Sequence, residues 1–198
     1  MTTDQPSNRG QPFLLSLVFV LGLGALQVLN SLGLAGTDGA WGVVPRSVDH
    51  LWGVVTFHLR HANWSHYFSN AIPLLFLPSI AWTLAPKASQ QAWWIIALGS
   101  GLFLWCFGRS AVHVGASGLV YGWFFFLVGM AIFHRSWVSL LGLVLAMGLF
   151  GGLIWVFAGG NSVSWEGHLG GAMAGLLAAR LTRPQKKPAG TLPGTQET

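Results

Sequence analysis

Charged residues are scarce in this sequence. Asp, Glu, Lys and Arg together make up 8% of its 198 residues, whereas about 25% is usual in a soluble domain. Hydrophobic residues reach 53%, and a chain with so few charges cannot cover such a content of apolar side chains with a polar surface. The composition therefore excludes an ordinary soluble domain and indicates an integral membrane protein.

Cysteine is almost absent as well. Cys106 is the single cysteine, so no internal disulfide can form, and its apolar surroundings in the sequence indicate a packing role. His58, His61 and His66 do not have the spacing of a closed four-ligand zinc site, and no cysteine lies near them in the sequence. We therefore expect neither a metal nor a cofactor.

Long apolar runs are plentiful. About 20 apolar residues are needed for a helix to cross a hydrocarbon core of about 30 Å. Six runs approach this length, at about 13–33, 66–85, 90–108, 112–133, 137–158 and 167–182. They lack the alternation of a membrane barrel. The sequence thus predicts an all-α polytopic membrane protein with a six-transmembrane-helix domain over residues 13–182, flanked by disordered tails at 1–12 and 183–198.

The basic residues are distributed in a way that indicates orientation. The ten Lys and Arg residues lie at the ends of apolar runs and do not gather on one face, which argues against a nucleic-acid partner. With six crossings, seven of the ten fall on the side of both termini, and the positive-inside rule makes that side cytoplasmic. We expect a multi-pass protein with cytoplasmic termini. The minimal six-span core, without a long targeting segment, favours a prokaryotic plasma membrane.

Small residues recur along two of the predicted helices. Gly167, Gly171 and Gly175 are four residues apart in the sixth run, and Gly118 and Gly122 have the same spacing in the fourth. This spacing places each set on one stripe of its helix, and small residues let membrane helices approach closely. We therefore expect the fourth and sixth helices to pack against each other.

Two polar residues fall at similar depth in these helices. Ser117 lies in the first turns of the fourth span and His168 at the start of the sixth, and both spans enter from the same side. A histidine inside a membrane span is a candidate functional residue, and a serine hydroxyl becomes a nucleophile only beside a base such as a neutral imidazole. The arrangement predicts a Ser-His dyad.

The second span adds two further polar side chains. His66 and Asn70 are four residues apart, so they share one face of that helix at the same side of the membrane. Acyl transfer requires hydrogen-bond donors for the developing oxyanion, and His and Asn side chains can supply them beside a backbone N–H. Three separate spans therefore bring polar groups to one leaflet.

These residues resemble those of the rhomboid intramembrane serine proteases. Three motifs carry the resemblance, namely "HANWSHYFSN" at 61–70, "GASG" at 115–118 and "GHLGGAMAG" at 167–175. The resemblance implies a six-helix bundle in which a short fourth helix holds the nucleophile at the floor of a water-filled cavity. It assigns Ser117 as nucleophile, His168 as base and then acid, and His66, Asn70 and the Ser117 amide to the oxyanion.

The resemblance also implies supporting roles. Tyr121 matches an aromatic residue beside the catalytic histidine, and Gly115 and Gly118 flank the nucleophile. Gly171 and Gly175 match the small residues of helix six, and His61 matches a structural histidine of the first loop.

Two nearby residues do not fit a family role. The family's Trp-Arg pair in that loop is Trp52-Gly53 in this sequence, which leaves the anchoring of the loop open. We interpret Glu166 as a loop-end carboxylate and not as a third catalytic residue, because it points in a different direction from His168 on the helix.

The resemblance implies transmembrane protein substrates cut near the outer membrane boundary, within a lipid environment. Access of a substrate to the site is expected to require movement either of the fifth helix or of the segment "FAGGNSVSWEG" before the sixth, which Gly159 and Gly160 would make a mobile cap. An alternative is an inactive rhomboid-like protein that binds transmembrane helices without cutting them, although such proteins generally lack the dyad. A transporter or proton conductor would need more buried acids than Glu166 alone. The sequence leaves the physiological substrate and the oligomeric state open.

Overall fold

Helices form nearly all of the regular structure. The computed structural model describes residues 10–158 and 164–184. Its six long helices are α1 (Gln11–Ser31), α2 (Trp64–Leu84), α3 (Pro86–Phe107), α4 (Ser117–Phe133), α5 (Trp137–Phe150, continued by a 3-10 helix over Gly151–Ala158) and α6 (Trp165–Leu181). Within these described ranges there is no β-strand, which confirms the predicted all-α fold. Most of both predicted tails, and Gly159 and Gly160 of the predicted cap, lie outside the described residues.

Local sequence signals explain where several helices begin. The side chain of Asn63 accepts a hydrogen bond from the His66 N–H at 2.9 Å at the start of α2, and Ser136 caps α5 by accepting from Ser139 N–H at 3.1 Å. Such side chains satisfy N–H groups that a helix leaves unpaired. A proline in the first turn of α1 and of α3 has no N–H to satisfy. This is why α1 begins at Gln11, inside the segment predicted as a tail.

The start of α4 corrects one prediction. The apolar run 112–133 was expected to be helical throughout, but the helix begins at Ser117. His113 instead forms an antiparallel bridge with Val43, with N–O distances of 2.9 and 3.0 Å, and Gly115 adopts a φ of +127°. That φ is outside the helical region and favours glycine. Ser117 is therefore the first residue of a short helix of 17 residues.

Glycines govern the position of α4 between its neighbours. A Cβ atom on Gly171 or Gly175 of α6 would overlap the backbone carbonyl of Gly118 or Gly122, and α4 and α6 pack more extensively than any other pair of helices. The predicted contact between the fourth and sixth helices is thus confirmed. Gly118 and Gly122 face the other way, since Cβ atoms there would meet Ser100 and Ile96 of α3.

The outer surface of the bundle is apolar. Among the residues that the structure describes, three helical segments are long and apolar enough to cross a membrane, namely Gln11–Ser31, Trp64–Leu84 and Trp137–Ile154, and α4 is apolar but shorter. Side chains such as Val18 and Leu21 of α1 and Val144 of α5 are about 60% exposed. This surface indicates a membrane protein. The crossing of all six helices stays a prediction.

The connection between α1 and α2 is anchored by Arg60. This side chain is only 8% exposed. Its Nε donates to Asp38 Oδ1 at 2.7 Å, and its two Nη groups donate to the carbonyls of Ala35 at 3.2 Å and Gly36 at 2.9 Å. Gly53 lies so close to Gly42 that a Cβ would overlap the Gly42 carbonyl. Arg60 therefore anchors this loop, and the absence of a side chain at position 53 lets the loop close against the Gly42 carbonyl.

Candidate active site

A cavity of about 650 Å³ opens at the end of the bundle where α2, α4 and α6 begin. Its wall includes His66, Ser117, Tyr121 and His168, so three predicted catalytic and oxyanion residues, from three helices, share one space. Ser117 is half-buried and His168 is 5% exposed. No hydrogen bond joins Ser117 to His168 in the part of the chain that the structure describes. Such bonds are often long without a substrate and tighten when one binds.

Ser117 lies at the N-terminus of α4, which has electrostatic consequences. The first four N–H groups of a helix have no partner within the helix, and the helix dipole places partial positive charge there. Because Ser117 is the first residue of α4, an anion formed on a substrate beside its hydroxyl would lie close to these amides.

The turn before Ser117 is clamped by the connection between α1 and α2. Gly115 N–H donates to the Phe57 carbonyl at 2.9 Å, and the Ala116 N–H donates to His61 Nε2 at 3.4 Å. The imidazole of His66 packs on Gly115, where a Cβ would lie 2.6 Å from its Nε2 atom. The glycine at position 115 is thus required by both its backbone angle and this ring. His61 lies behind the cavity wall and supports the turn.

His61 accepts that hydrogen bond because its ring is neutral. Burial, with smaller contributions from His66 and His58, lowers the pKa of His61 from 6.5 to about 3. Burial likewise lowers the pKa of His58, in the same connection, to about 4, although its hydrogen bond to the Ala97 carbonyl acts in the opposite direction. Both rings therefore stay uncharged at neutral pH.

Tyr121 stacks on His168. The two rings are nearly parallel, with 4.2 Å between centroids and 18° between planes. The Tyr121 hydroxyl donates to the Leu153 carbonyl at 3.0 Å, which ties α4 to the 3-10 helix after α5. The stack restricts the imidazole to one plane.

Asn70 differs in position from the other predicted oxyanion donors. It is 3% exposed and lies outside the cavity wall, and its Nδ2 donates to the His66 carbonyl at 2.9 Å. An Asn amide has a second N–H, so a role in oxyanion binding stays a prediction. In the observed rotamer, Asn70 supports the turn of α2 that carries His66.

A polar cluster at the rim of the cavity was not predicted as a unit. His113 is buried, and its ring nitrogens contact Ser164 Oγ at 2.8 Å and the Arg109 carbonyl at 3.0 Å. Glu166 accepts from Arg109 N–H at 3.4 Å and lies 3.8 Å from Arg109 Nε. The Nδ1 atom of His168 has no hydrogen-bond partner among the described residues, so Glu166 pairs with Arg109 and not with the imidazole. In the sequence, the residue that could have indicated this cluster is His113, which lies four residues before Ser117.

Comparisons with known proteins agree with this architecture. The family model of the Rhomboid domain matches residues 48–185. An uncharacterized protein of Mycobacterium tuberculosis H37Rv is 36% identical over 183 residues, which cover 86% of this chain and 75% of that protein. An uncharacterized protein of Mycobacterium leprae is 31% identical over 189 residues, covering 86% of this chain and 72% of the relative. The chain belongs to the rhomboid family.

Proposed function

We propose that this protein is an intramembrane serine endopeptidase that cuts transmembrane proteins near the outer membrane boundary. The observation that carries the proposal is that Ser117, at the N-terminus of α4, and the buried His168 of α6 line one cavity inside an apolar bundle. A serine and an imidazole in one polar cavity are the minimum required for nucleophilic acyl transfer.

In the proposed reaction, Ser117 Oγ attacks the carbonyl carbon of the scissile peptide bond while His168 accepts the hydroxyl proton. The tetrahedral oxyanion is stabilised by the N-terminal amides of α4 and by His66. His168 then protonates the leaving amine, the C–N bond breaks and an acyl-enzyme remains. Water then attacks the ester carbonyl while His168 accepts its proton. The bond between the carbonyl carbon and Ser117 Oγ breaks, His168 returns the proton to Oγ, and the new carboxyl terminus of the substrate leaves.

The cavity also constrains the substrate. An intact helix is about 10–12 Å across and its backbone amides are hydrogen-bonded internally, so a substrate helix must unwind before its peptide bond reaches Ser117. By resemblance, suitable substrates have Gly or Pro near the cut and a small residue before it.

We further propose that all six long helices cross the membrane, with both termini cytoplasmic and the cavity facing the outer side, in accord with the charge distribution.

A fluorophosphonate probe tests the proposal, because it reacts only with an activated serine. We expect the purified, detergent-solubilised protein to be labelled, and Ser117→Ala and His168→Ala each to abolish labelling without loss of the folded state. A folded wild type that resists the probe would overturn the proposal and favour the alternative, an inactive rhomboid that binds transmembrane helices.

A further inference from the structure

A second cavity lies at the opposite end of α2 from the candidate active site. It is a groove of about 330 Å³ between the first turns of α1, the last turns of α2 and the first turns of α3. Its wall includes Leu15, Phe19, Pro78, Trp82, Trp93 and Trp94. This volume is within the range of small-molecule sites, and nothing in the proposed reaction uses it.

The groove wall is mostly apolar. Phe19 and Trp93 contact edge to face with 5.2 Å between ring centroids, and such aromatic pairs prefer a defined geometry. The Ser16 hydroxyl at the groove accepts a hydrogen bond from Ser79 at 3.0 Å, so this polar group is already satisfied within the protein. Trp94 is 64% exposed and Leu15 53% exposed, which leaves the groove open towards the surroundings of the bundle.

Polar groups lie on one side of the groove only. Gln90 and Trp94 both line it, and Lys87 precedes Gln90 by three residues on the same helix, α3. Residues at this spacing share a helix face, so Lys87, which is exposed, lies on the groove side of α3 at its first turn. The apolar part of the groove is suited to an acyl chain, and Lys87, which lies beyond Gln90, is suited to the anionic headgroup of the same lipid.

The two bundle ends differ in net charge. Among residues 10–158 and 164–184, the acidic side chains Asp38, Asp49 and Glu166 all lie at the cavity end, where Arg46, Arg60 and Arg109 balance them. The groove end carries the cations Lys87, Arg135, Arg180 and Arg183. Anionic headgroups are favoured at such an end, and because the attraction to a single cation falls off within a Debye length, a headgroup at the groove interacts mainly with Lys87. A second copy of this chain paired symmetrically at the groove would instead bring the two Lys87 side chains together.

We propose that this groove binds one anionic phospholipid, with an acyl chain between Trp94 and the α1 side chains and the phosphate at Lys87. The aromatic wall binds the chain through apolar contact, and Lys87 and Gln90 supply a cation and amide donors for the phosphate. The inference is independent of the proposed protease function, because it concerns another end of the molecule and other residues.

Native mass spectrometry of the delipidated full chain measures this binding directly. Phosphatidylglycerol and phosphatidylcholine with identical acyl chains are titrated separately. We expect a single tight phosphatidylglycerol site. Lys87→Gln should weaken it about fivefold, which corresponds to about 1 kcal/mol, with little change for phosphatidylcholine. Trp94→Ala should weaken both lipids about threefold to tenfold, because it removes part of the acyl-chain wall.

Two matched variants control for general effects. Arg183→Gln removes the same charge at the same end of the bundle, and Trp137→Ala removes a tryptophan that is 86% exposed on α5. Neither residue lines the groove, and neither substitution should change the affinity. Affinity lost equally in Lys87→Gln and Arg183→Gln, or unchanged in Trp94→Ala, would overturn the proposal. A protein dimer that forms at the expense of lipid binding, and that Trp94→Ala disrupts, would overturn it too.

Discussion

The ring of Tyr121 lies 4.2 Å from the imidazole of His168 and nearly parallel to it. Because His168 Nδ1 has no hydrogen-bond partner among the described residues, this stack restrains the plane of the ring where a hydrogen bond does not. Tyr121→Phe keeps the stack and loses the hydrogen bond to the Leu153 carbonyl, so we expect activity to fall by less than about tenfold. Tyr121→Leu loses the stack and should reduce kcat further while folding persists. Equal rates for the two variants, measured with a fluorogenic transmembrane substrate, would contradict this role.

His66 and Asn70 should contribute unequally to stabilising the proposed oxyanion. His66 lines the cavity and Asn70 does not, so His66→Ala should reduce kcat by roughly 10² to 10³, the cost of one oxyanion donor elsewhere. Asn70→Ala should reduce it less, through the altered position of His66. Turnover of a fluorogenic transmembrane substrate measures kcat for both variants. A larger loss for Asn70→Ala than for His66→Ala would mean that the amide turns into the cavity when substrate binds.

Because α4 and α6 pack closely, adding one methyl group between them should lower the stability of the fold. Gly171→Ala would place its Cβ against the Gly118 carbonyl, and we expect a loss of about 1–3 kcal/mol in the free energy of unfolding. Gly22→Ala is the matched control in α1, since a Cβ there has no neighbour within 4 Å. It should be neutral or stabilising by up to about 1 kcal/mol. Reversible unfolding in mixed micelles measures both, and equal stabilities would contradict the packing argument.

The Arg60 anchor predicts that lysine is not an adequate replacement. Arg60 bonds a carboxylate and two carbonyls through three different nitrogens, and a single ammonium cannot reproduce that geometry. We expect Arg60→Lys to lower the free energy of unfolding by about 1–3 kcal/mol and to increase hydrogen exchange around residues 35–38. Asp38→Asn keeps one acceptor and should cost less. Exchange in Arg60→Lys at the wild-type rate would show that the loop is held by other contacts.

The neutral histidines of the first connection predict a pH dependence of stability. The folded pKa is about 4 for His58 and about 3 for His61, against 6.5 for an unperturbed histidine. Below pH 6.5 the unfolded chain binds protons that the folded chain does not, so stability should fall as the pH decreases from 6.5 towards 4. His58→Gln and His61→Gln should each make this dependence shallower. Unfolding curves across the window test it, and a slope equal to the wild type in both variants would contradict the assignment.

Much of the helical layout was predictable because apolar length is a strong signal. Apart from the start of α4 and the end of α5, where Gly151–Ala158 of the predicted span form a 3-10 helix, the predicted helix ends agree with the structure to within about four residues. The start of α4 was missed because Val112 and Val114 are as apolar as a helical segment, while the backbone angle of Gly115 and the bridge of His113 to Val43 depend on contacts distant in the chain.

The residues that share the cavity could be predicted from the sequence, whereas the contacts that hold them in position could not. Ser117, His66 and His168 fall on one cavity because helix direction fixes their depth. The Arg60 anchor was not foreseen, since its acceptors lie 22 to 25 residues away, and neither local spacing nor periodicity relates them. The orientation of Asn70 was missed because helical spacing gives the face of a residue but not its side-chain rotamer.

The close approach of Gly53 to Gly42 limits how this loop can be exchanged with those of other rhomboids. Any side chain at position 53 meets the Gly42 carbonyl, so an arginine introduced there cannot add to the Arg60 anchor. A substitution at Gly53 alone should displace the loop from the Gly42 carbonyl. Chimeras of this loop should therefore exchange residues 35–60 as one unit.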